Sequence, residues 1–161
     1  MHVSKAFGLC VAAGFALAGC AGTGPTPEQE AAQAAVQETV DQILSAPLES
    51  EEYGQTQRCL STYHYNSVEI LDDQHVLFKG TGDRAWLNQL RSRCLGLRPN
   101  STPVFRLRDS QVCDLDTFQG VDSMFGVLSR ATATCSLGTF TPVTREQADA
   151  IRAAFKDARK R

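Results

Sequence analysis

Residues 63–80 read YHYNSVEILDDQHVLFKG. Two runs rich in β-branched and aromatic residues flank the turn signal Asp72-Asp73-Gln74, which is the pattern of a β-hairpin. A second break, Gly80-Thr81-Gly82-Asp83, follows directly after the second run. The stretch therefore predicts the first hairpin of an antiparallel sheet.

Further short β-type segments follow at regular spacing. Residues 84–90 are typical of a third strand or a short helix, and segments 104–107 and 111–118 frame a turn at Asp109-Ser110 that predicts a second hairpin. Residues 131–140 close the sheet. Strands this short and this evenly spaced indicate a small rolled antiparallel sheet or barrel.

A helix is predicted on each side of this β region. Thr26 caps the first helix, with Pro27 at its first position and Pro47 beyond its end. Residues 144–147, Thr-Arg-Glu-Gln, form a capping box that opens the second. Both helices carry an apolar stripe, formed by Val36, Val40, Ile43 and Leu44 in the first and by Ala148, Ile151, Phe155 and Ala158 in the second. The predicted class is α+β, mainly β, with an N-terminal helical arm and a C-terminal docking helix.

Charge divides the chain into an acidic arm and a basic domain. The 161 residues are 42% hydrophobic and 21% charged, which excludes an intrinsically disordered chain and a multi-span membrane protein. Between Lys5 and Arg58 there are seven acids and no base, whereas 15 bases and 11 acids occur from Arg58 onward. A net charge of −2 gives no reason to expect a nucleic-acid partner. The stripe of the acidic helix either rests on the domain or meets a partner helix.

The first twenty residues have the features of an export signal. A positive leader precedes the 13-residue apolar run 6–18, which is shorter than the about 20 residues of a membrane span. The tetrapeptide Leu17-Ala18-Gly19-Cys20 resembles the lipobox of bacterial lipoproteins, so we expect cleavage of residues 1–19 and lipid such as palmitate on Cys20. An ordinary secretory signal that happens to contain a cysteine is the alternative.

The residue after Cys20 bears on the destination. Inner-membrane retention of such lipoproteins usually requires an aspartate at this position, where this chain has Ala21. By similarity to that sorting rule we expect an outer-membrane protein, lipid-anchored and facing the periplasm. Its expected partners are the membrane, through the lipid, and another periplasmic or outer-membrane protein.

Four cysteines remain once Cys10 and Cys20 are assigned to the leader and the lipid. An even number in an oxidising compartment predicts two disulfides among Cys59, Cys94, Cys113 and Cys135. A zinc site is the alternative, but no C-x2-C pair occurs. The segments CDLDTF (113–118) and CSLGTF (135–140) resemble each other, and two such strands lying side by side would favour Cys113–Cys135 with Cys59–Cys94.

No catalytic motif is visible, so we expect neither an enzyme nor a bound cofactor. The sequence contains no G-x-S-x-G, P-loop, H-E-x-x-H or C-x-x-C pattern. The acid pair Asp72-Asp73 is interpreted as part of a turn. For Asp114 and Asp116, which share one strand face, we expect a structural role such as pairing with Arg106 or Arg108.

Two weaker candidate sites remain. His64 and His75 flank the first hairpin, and facing each other across it they would form a weak metal site. A recognition patch is the second candidate, although a lone tryptophan is usually a core residue; it would comprise Trp86, Asn88, Arg84 and Arg91.

The order of the central blocks resembles a known family. VEILDDQHVLF (68–78) is followed by RCLGL (93–97), VCDLD (112–116) and CSLGTFTPV (135–143). This order is similar to a family of small proteobacterial lipoproteins with four periplasmic cysteines, known only as a domain of unknown function. The family usually has proline after the second cysteine, where this chain has Leu95. The resemblance covers about residues 58–155 and implies a compact secreted domain without a known activity.

These patterns together predict a division of the chain into three segments and a function for the whole. Residues 1–19 are the signal peptide, 20–57 the lipidated cysteine, spacer and acidic helical arm, and 58–161 the disulfide-braced β domain with its C-terminal helix. The expected function is that of a lipid-anchored, non-catalytic binding or interaction module of the envelope. The alternative is a periplasmic protein that binds a small ligand or a metal.

Overall fold

The computed structural model describes residues 26–46, 48, 55–107, 109–124 and 127–160. The predicted leader 1–19 and Cys20 lie outside the described residues. Two helices and ten strands occur in the described part: α1 (Pro27–Ser45), β1 (Cys59–Ser61), β2 (Tyr65–Ile70), β3 (His75–Gly80), β4 (Arg84–Gln89), β5 (Thr102–Phe105), β6 (Gln111–Cys113), β7 (Thr117–Met124), β8 (Val127–Ala131), β9 (Cys135–Ser136), β10 (Phe140–Thr144) and α2 (Arg145–Ala158).

The strands form three antiparallel groups. A central four-stranded sheet has the order β10-β4-β3-β2, and the predicted hairpin is its β2–β3 pair. A second sheet has the order β5-β7-β8, with β9 also paired to β7, and β1 pairs with β6. The predicted α+β class is confirmed, and the sheet does not close into a barrel within the described residues.

The central sheet is buried on both faces because its strands alternate between two apolar clusters. On β3, Val76 and Phe78 face the cluster shared with the second sheet, whereas Leu77 faces the helices. On β4, Trp86 and Leu87 divide in the same way. Successive side chains of a strand point to opposite faces, so the molecule has three layers: helices, central sheet and second sheet.

The capping signals of both helices are confirmed. Thr26 accepts a hydrogen bond from the backbone N–H of Gln29 at 3.3 Å, and the Gln29 side chain accepts one from the backbone N–H of Thr26 at 2.9 Å. Thr144 and Gln147 form the equivalent capping box at the start of α2. The first helix ends at Ser45, two residues before Pro47.

The stripe of α1 packs on its own domain. Val36 and Val40 are buried in the cluster that also holds Ile151 and Phe155 of α2, and Ile43 and Leu44 are partly buried beside it. The side-chain amide of Gln147, at the start of α2, donates to the backbone oxygen of Ile43, near the end of α1. The two helices therefore lie antiparallel, and this stripe is occupied without a partner helix.

The predicted hairpin around Asp109-Ser110 is wrong in its pairing. Strand β5 pairs with β7, with Phe105 opposite Phe118, and β6 leaves that sheet to pair with β1. In the β1–β6 ladder Cys59 lies directly opposite Cys113, and their sulfur atoms are bonded. The disulfide therefore fixes β6 beside β1, so β5 pairs with the next strand. Residues 84–90, left open between strand and helix, are strand β4 followed by Leu90.

The predicted disulfide pairing is also wrong, although all four cysteines are bonded. The bonds are Cys59–Cys113 and Cys94–Cys135, instead of Cys59–Cys94 and Cys113–Cys135. The similar segments 113–118 and 135–140 do meet, because Thr117 lies opposite Ser136 and Phe118 opposite Cys135. They run antiparallel, which places each cysteine at the phenylalanine end of the other segment rather than beside the other cysteine.

Candidate functional site

A cleft of about 540 Å³ opens beneath the N-terminal half of α1. Its walls come from four separated parts of the chain: α1, the β2–β3 turn, the loop after β4 and the C-terminal end of α2. We call it the helix cleft. Its lining comprises Glu28, Gln29, Ala32, Gln33, Val36 and Gln37 from α1; Leu71, Asp72, Asp73, Gln74 and His75 from the turn; Arg93, Leu97 and Pro99 from the loop; and Phe155, Ala158 and Arg159. This volume lies within the usual range for small-molecule sites.

The β2–β3 turn is organised by the carboxylate of Asp72. One oxygen accepts hydrogen bonds from the backbone N–H groups of Gln74 at 2.8 Å and His75 at 2.6 Å. The same oxygen lies 3.0 Å from Nδ1 of the His75 ring. Burial alone would raise the pKa of Asp72, but the hydrogen bond and charge of His75 and the two backbone N–H groups outweigh it and lower the pKa below its usual value. Asp72 is therefore ionised at neutral pH.

His75 is the buried polar residue of the cleft wall. The residue is 5% exposed, and its ring packs against Phe155 with centroids 5.0 Å apart. Because the ionised Asp72 accepts from it, the Nδ1 atom of the ring carries a proton. Nε2 is buried and has no hydrogen-bond partner among the described residues. The Asp72–His75 pair thus holds a fixed, polarised imidazole at the cleft.

Arg93 ties the loop after β4 to two other walls. Its guanidinium lies 3.2 Å from an Asp73 oxygen and donates to the side-chain oxygen of Gln33 on α1 at 3.3 Å. The next residue, Cys94, is bonded to Cys135 through its sulfur. Its backbone N–H donates to the backbone oxygen of Asp73 at 2.7 Å. The Cys94–Cys135 disulfide therefore holds the wall that carries Arg93.

Asp72→Asn tests the electrostatic part of this turn. Because the folded-state pKa of Asp72 is lowered, its charge stabilises the fold above about pH 4, and this contribution is lost as the pH falls through the folded-state pKa. Its side chain is 36% exposed, so the effect is screened by solvent. We expect the free energy of unfolding of wild type to exceed that of the variant by only about 1 kcal/mol at neutral pH. Urea unfolding between pH 7 and acid pH measures the difference, which should shrink on acidification.

A matched control is Asp157→Asn at the end of α2. Asp157 pairs with Lys160 at 3.2 Å, and both side chains are 67% exposed, so little change in stability is expected. A stability difference between wild type and Asp72→Asn that grows on acidification would contradict the lowered pKa of Asp72.

The predicted recognition patch around Trp86 is wrong because its centre is buried. Trp86 is 2% and Asn88 0% exposed, whereas Arg84 and Arg91 lie on the surface. The Asn88 side-chain amide donates to the backbone oxygen of Gly138 at 2.7 Å and its oxygen accepts from the Gly138 N–H at 3.0 Å. Asn88 therefore closes the 137–139 connection, which is a structural role.

The predicted metal site between His64 and His75 is also wrong. His75 begins β3, and His64 lies beside Gly80 at the other end of that strand. Five residues of strand separate these positions by roughly 17 Å. Within the described part of the chain, no group of three or more His, Cys, Asp or Glu side chains is arranged to hold a metal ion.

Asp114 has the expected structural role with different partners. Its side chain is 8% exposed and pairs with Arg58 at 3.1 Å and Arg91 at 3.9 Å, rather than with Arg106. The other predicted partner, Arg108, lies outside the described residues. Asp116 accepts from the backbone N–H of Cys113 at 2.7 Å. Leu115 between them has a φ of 75°, so this segment is a turn and the two acids do not share a strand face.

Sequence reasoning identified the Asp72 turn but missed the helix cleft. Gln33, Arg93 and Arg159 carry no local pattern and meet His75 only through the fold. The one available signal was the spacing of Asp72 and His75, since an aspartate three residues before a histidine at a tight turn can accept from that residue's backbone and ring.

The fold and the cleft define a small three-layered α+β protein, braced by two disulfides, with a cleft of ligand size. A family model described as "Family of unknown function (DUF6491)" matches residues 3–160. The chain belongs to this family, and the expected membership of a family of unknown function is confirmed. No curated protein and no solved structure matches the chain. Among the described residues, neither helix is long and apolar enough to cross a membrane.

Proposed function

We propose that this protein is a non-catalytic binding module of the bacterial envelope, tethered by lipid on Cys20, and that the helix cleft is its binding site. The observation that carries the proposal is the cleft of about 540 Å³ with the buried His75 in its wall. A mostly apolar recess with a few fixed polar groups is the usual form of a small-ligand site.

The residues around His75 favour binding over catalysis. An Asp–His pair can serve as a general base for a nearby nucleophile, but the described lining of the cleft contains no serine, threonine, cysteine, lysine or tyrosine. The fixed imidazole instead supplies orientation and hydrogen bonding. The metal-binding form of the alternative has no support in the described residues, because no three ligating side chains converge there.

The cleft is tested by filling it. Ala32 is half-buried on the cleft side of α1, and Ala34 is exposed on the same helix outside the lining. A ligand at a hundredfold excess over Kd should add about 2.7 kcal/mol to the free energy of unfolding. In a thermal-shift screen of small-molecule classes, compounds that stabilise wild type should still stabilise Ala34→Trp but not Ala32→Trp.

Two results of this screen would contradict binding at the helix cleft. Stabilisation of the two tryptophan variants by the same compounds would place binding elsewhere. A screen in which no class of compound stabilises wild type would remove the binding function.

The lipid anchor is tested by Cys20→Ser. The variant should move from the membrane fraction to the soluble periplasmic extract, because the sulfur that receives the lipid is missing. Cys10→Ser is the matched control, since Cys10 lies in the leader expected to be removed, and it should fractionate as wild type does. Retention of Cys20→Ser in the membrane fraction would contradict lipid anchoring at this residue.

A further inference from the structure

Most of the acidic and basic side chains that line the helix cleft already have partners. Asp72 is bonded to His75 and two backbone N–H groups, and Asp73 pairs with Arg93. Each pair combines an acid with a basic side chain, so neither offers a free charge to a ligand. This part of the lining is therefore suited to uncharged polar and apolar groups.

Two charges at the cleft remain without a partner among the described residues. Glu28 lies in the first turn of α1, and Arg159 is the C-cap residue of α2. Both line the cleft and both are exposed, and within the described part of the chain neither side chain takes part in a hydrogen bond or ion pair. An acid at a helix N-terminus and a base at a C-terminus are each favoured by the helix dipole, so each charge is stable where it lies and stays available.

The antiparallel helices place these two charges on different walls of the cleft. The C-terminal end of α1 contacts the start of α2, and the N-terminal half of α1 shares the cleft with the last turn of α2. The rest of the lining includes side-chain amides, among them Gln29 and Gln74, and the apolar side chains of Leu97 and Phe155. An amide both donates and accepts hydrogen bonds, as a peptide group does.

From this arrangement we propose that the helix cleft binds a short peptide with free termini, its ammonium group at Glu28 and its carboxylate at Arg159. The inference rests on the proposed binding function and names its ligand class. A molecule with a single charge would satisfy one wall and leave the other charge unpaired. A zwitterion satisfies both, and its peptide groups match the glutamine amides of the cleft lining.

The test is an NMR titration of residues 20–161 carrying Cys20→Ser. Four peptides are compared: trialanine, N-acetyl-trialanine, trialanine amide and the doubly capped N-acetyl-trialanine amide. Free trialanine should bind, and N-acetylation or C-terminal amidation should each weaken binding about fivefold, as loss of one partly exposed ion pair would. Glu28→Gln should weaken binding of trialanine but leave N-acetyl-trialanine unaffected. Arg159→Gln should weaken binding of trialanine but leave trialanine amide unaffected.

Control variants lie beside the two charges. Glu30→Gln and Lys160→Gln remove neighbouring charges that do not line the cleft, and both should bind all four peptides as wild type does. Equal binding of the free and doubly capped peptides, or the same losses in the control variants, would overturn the peptide assignment.

Maltose, hexanoate and hexylamine are titrated in parallel to separate this inference from the binding function. If one of these shifts the cleft signals and trialanine does not, the peptide assignment is wrong and the binding function remains. If neither they nor trialanine shift any cleft signal, the peptide assignment is overturned and the thermal-shift screen decides the binding function alone.

Discussion

Replacing Cys94 and Cys135 together by alanine is expected to lower the free energy of unfolding by about 3–4 kcal/mol and to loosen the helix cleft. The bond joins residues 41 apart in sequence. Without this cross-link the unfolded chain gains conformational entropy, which stabilises it by about 3–4 kcal/mol for a closed loop of this size. Cys94 is adjacent to Arg93, so the same change releases a cleft wall. Urea unfolding followed by the fluorescence of Trp86, the single tryptophan, measures the stability.

The Cys59–Cys113 bond provides the matched control. It joins residues 54 apart, so the paired alanine variant should lose a similar amount of stability. Neither cysteine lines the cleft, and the NMR signals of the Arg93 guanidinium and the His75 ring should stay as in wild type. Those signals should change only in the Cys94/Cys135 variant. If both variants changed them equally, the disulfide would not be what holds the cleft wall.

Gly138→Ala is expected to lower the free energy of unfolding by about 3–5 kcal/mol. A Cβ at this position would lie 2.0 Å from the backbone oxygen of Gln89, so the backbone itself must move, which costs about 1–3 kcal/mol or more. That movement also disturbs the two buried hydrogen bonds between Gly138 and Asn88, and each unsatisfied buried group costs about 1–3 kcal/mol. Thermal and urea unfolding provide the measurement.

Gly82→Ala separates this steric effect from backbone conformation. Gly82 has a φ of 68° and no atom within 4 Å of an added Cβ, so its substitution should cost only about 1–2 kcal/mol. Asn88→Ala should approach the Gly138→Ala result, because it leaves the same backbone groups unpaired. Equal losses for the two glycine variants would show that close packing at Gly138 is not limiting.

The helices and the first hairpin were predictable because their signals are local. The capping boxes at Thr26 and Thr144 act within one helical turn. The alternation of residues 75–80 and the Asp72 turn act across a single connection. In each case the residues that decide the structure are within a few positions of one another, so one sequence contains the whole cause.

Pairing across distant segments was not predictable in the same way. The similarity of residues 113–118 and 135–140 correctly indicated neighbouring strands, but not that they run antiparallel. Direction decides which cysteine meets which, and here it separates Cys113 from Cys135. Likewise, asparagine is usually found at the surface, and only the contact of Asn88 with Gly138 explains why this residue is buried.

The helix cleft depends on the fold most strongly. Glu28, Asp73, Arg93 and Arg159 lie far apart in sequence and come together through the antiparallel helices, the β2–β3 turn and the Cys94–Cys135 bond. None of these four residues belongs to a ligand-binding motif. A site assembled from four separated segments leaves no local pattern of that kind to find.

NMR chemical-shift mapping with a stabilising compound tests whether the helix cleft is where this protein binds its ligand. We predict that the largest shifts fall on cleft residues, including Gln33, Asp73, His75 and Arg159. Residues at the opposite end of β3, such as His64 and Gly80, should not shift. Largest shifts at that far end, with the cleft signals unchanged, would contradict the account.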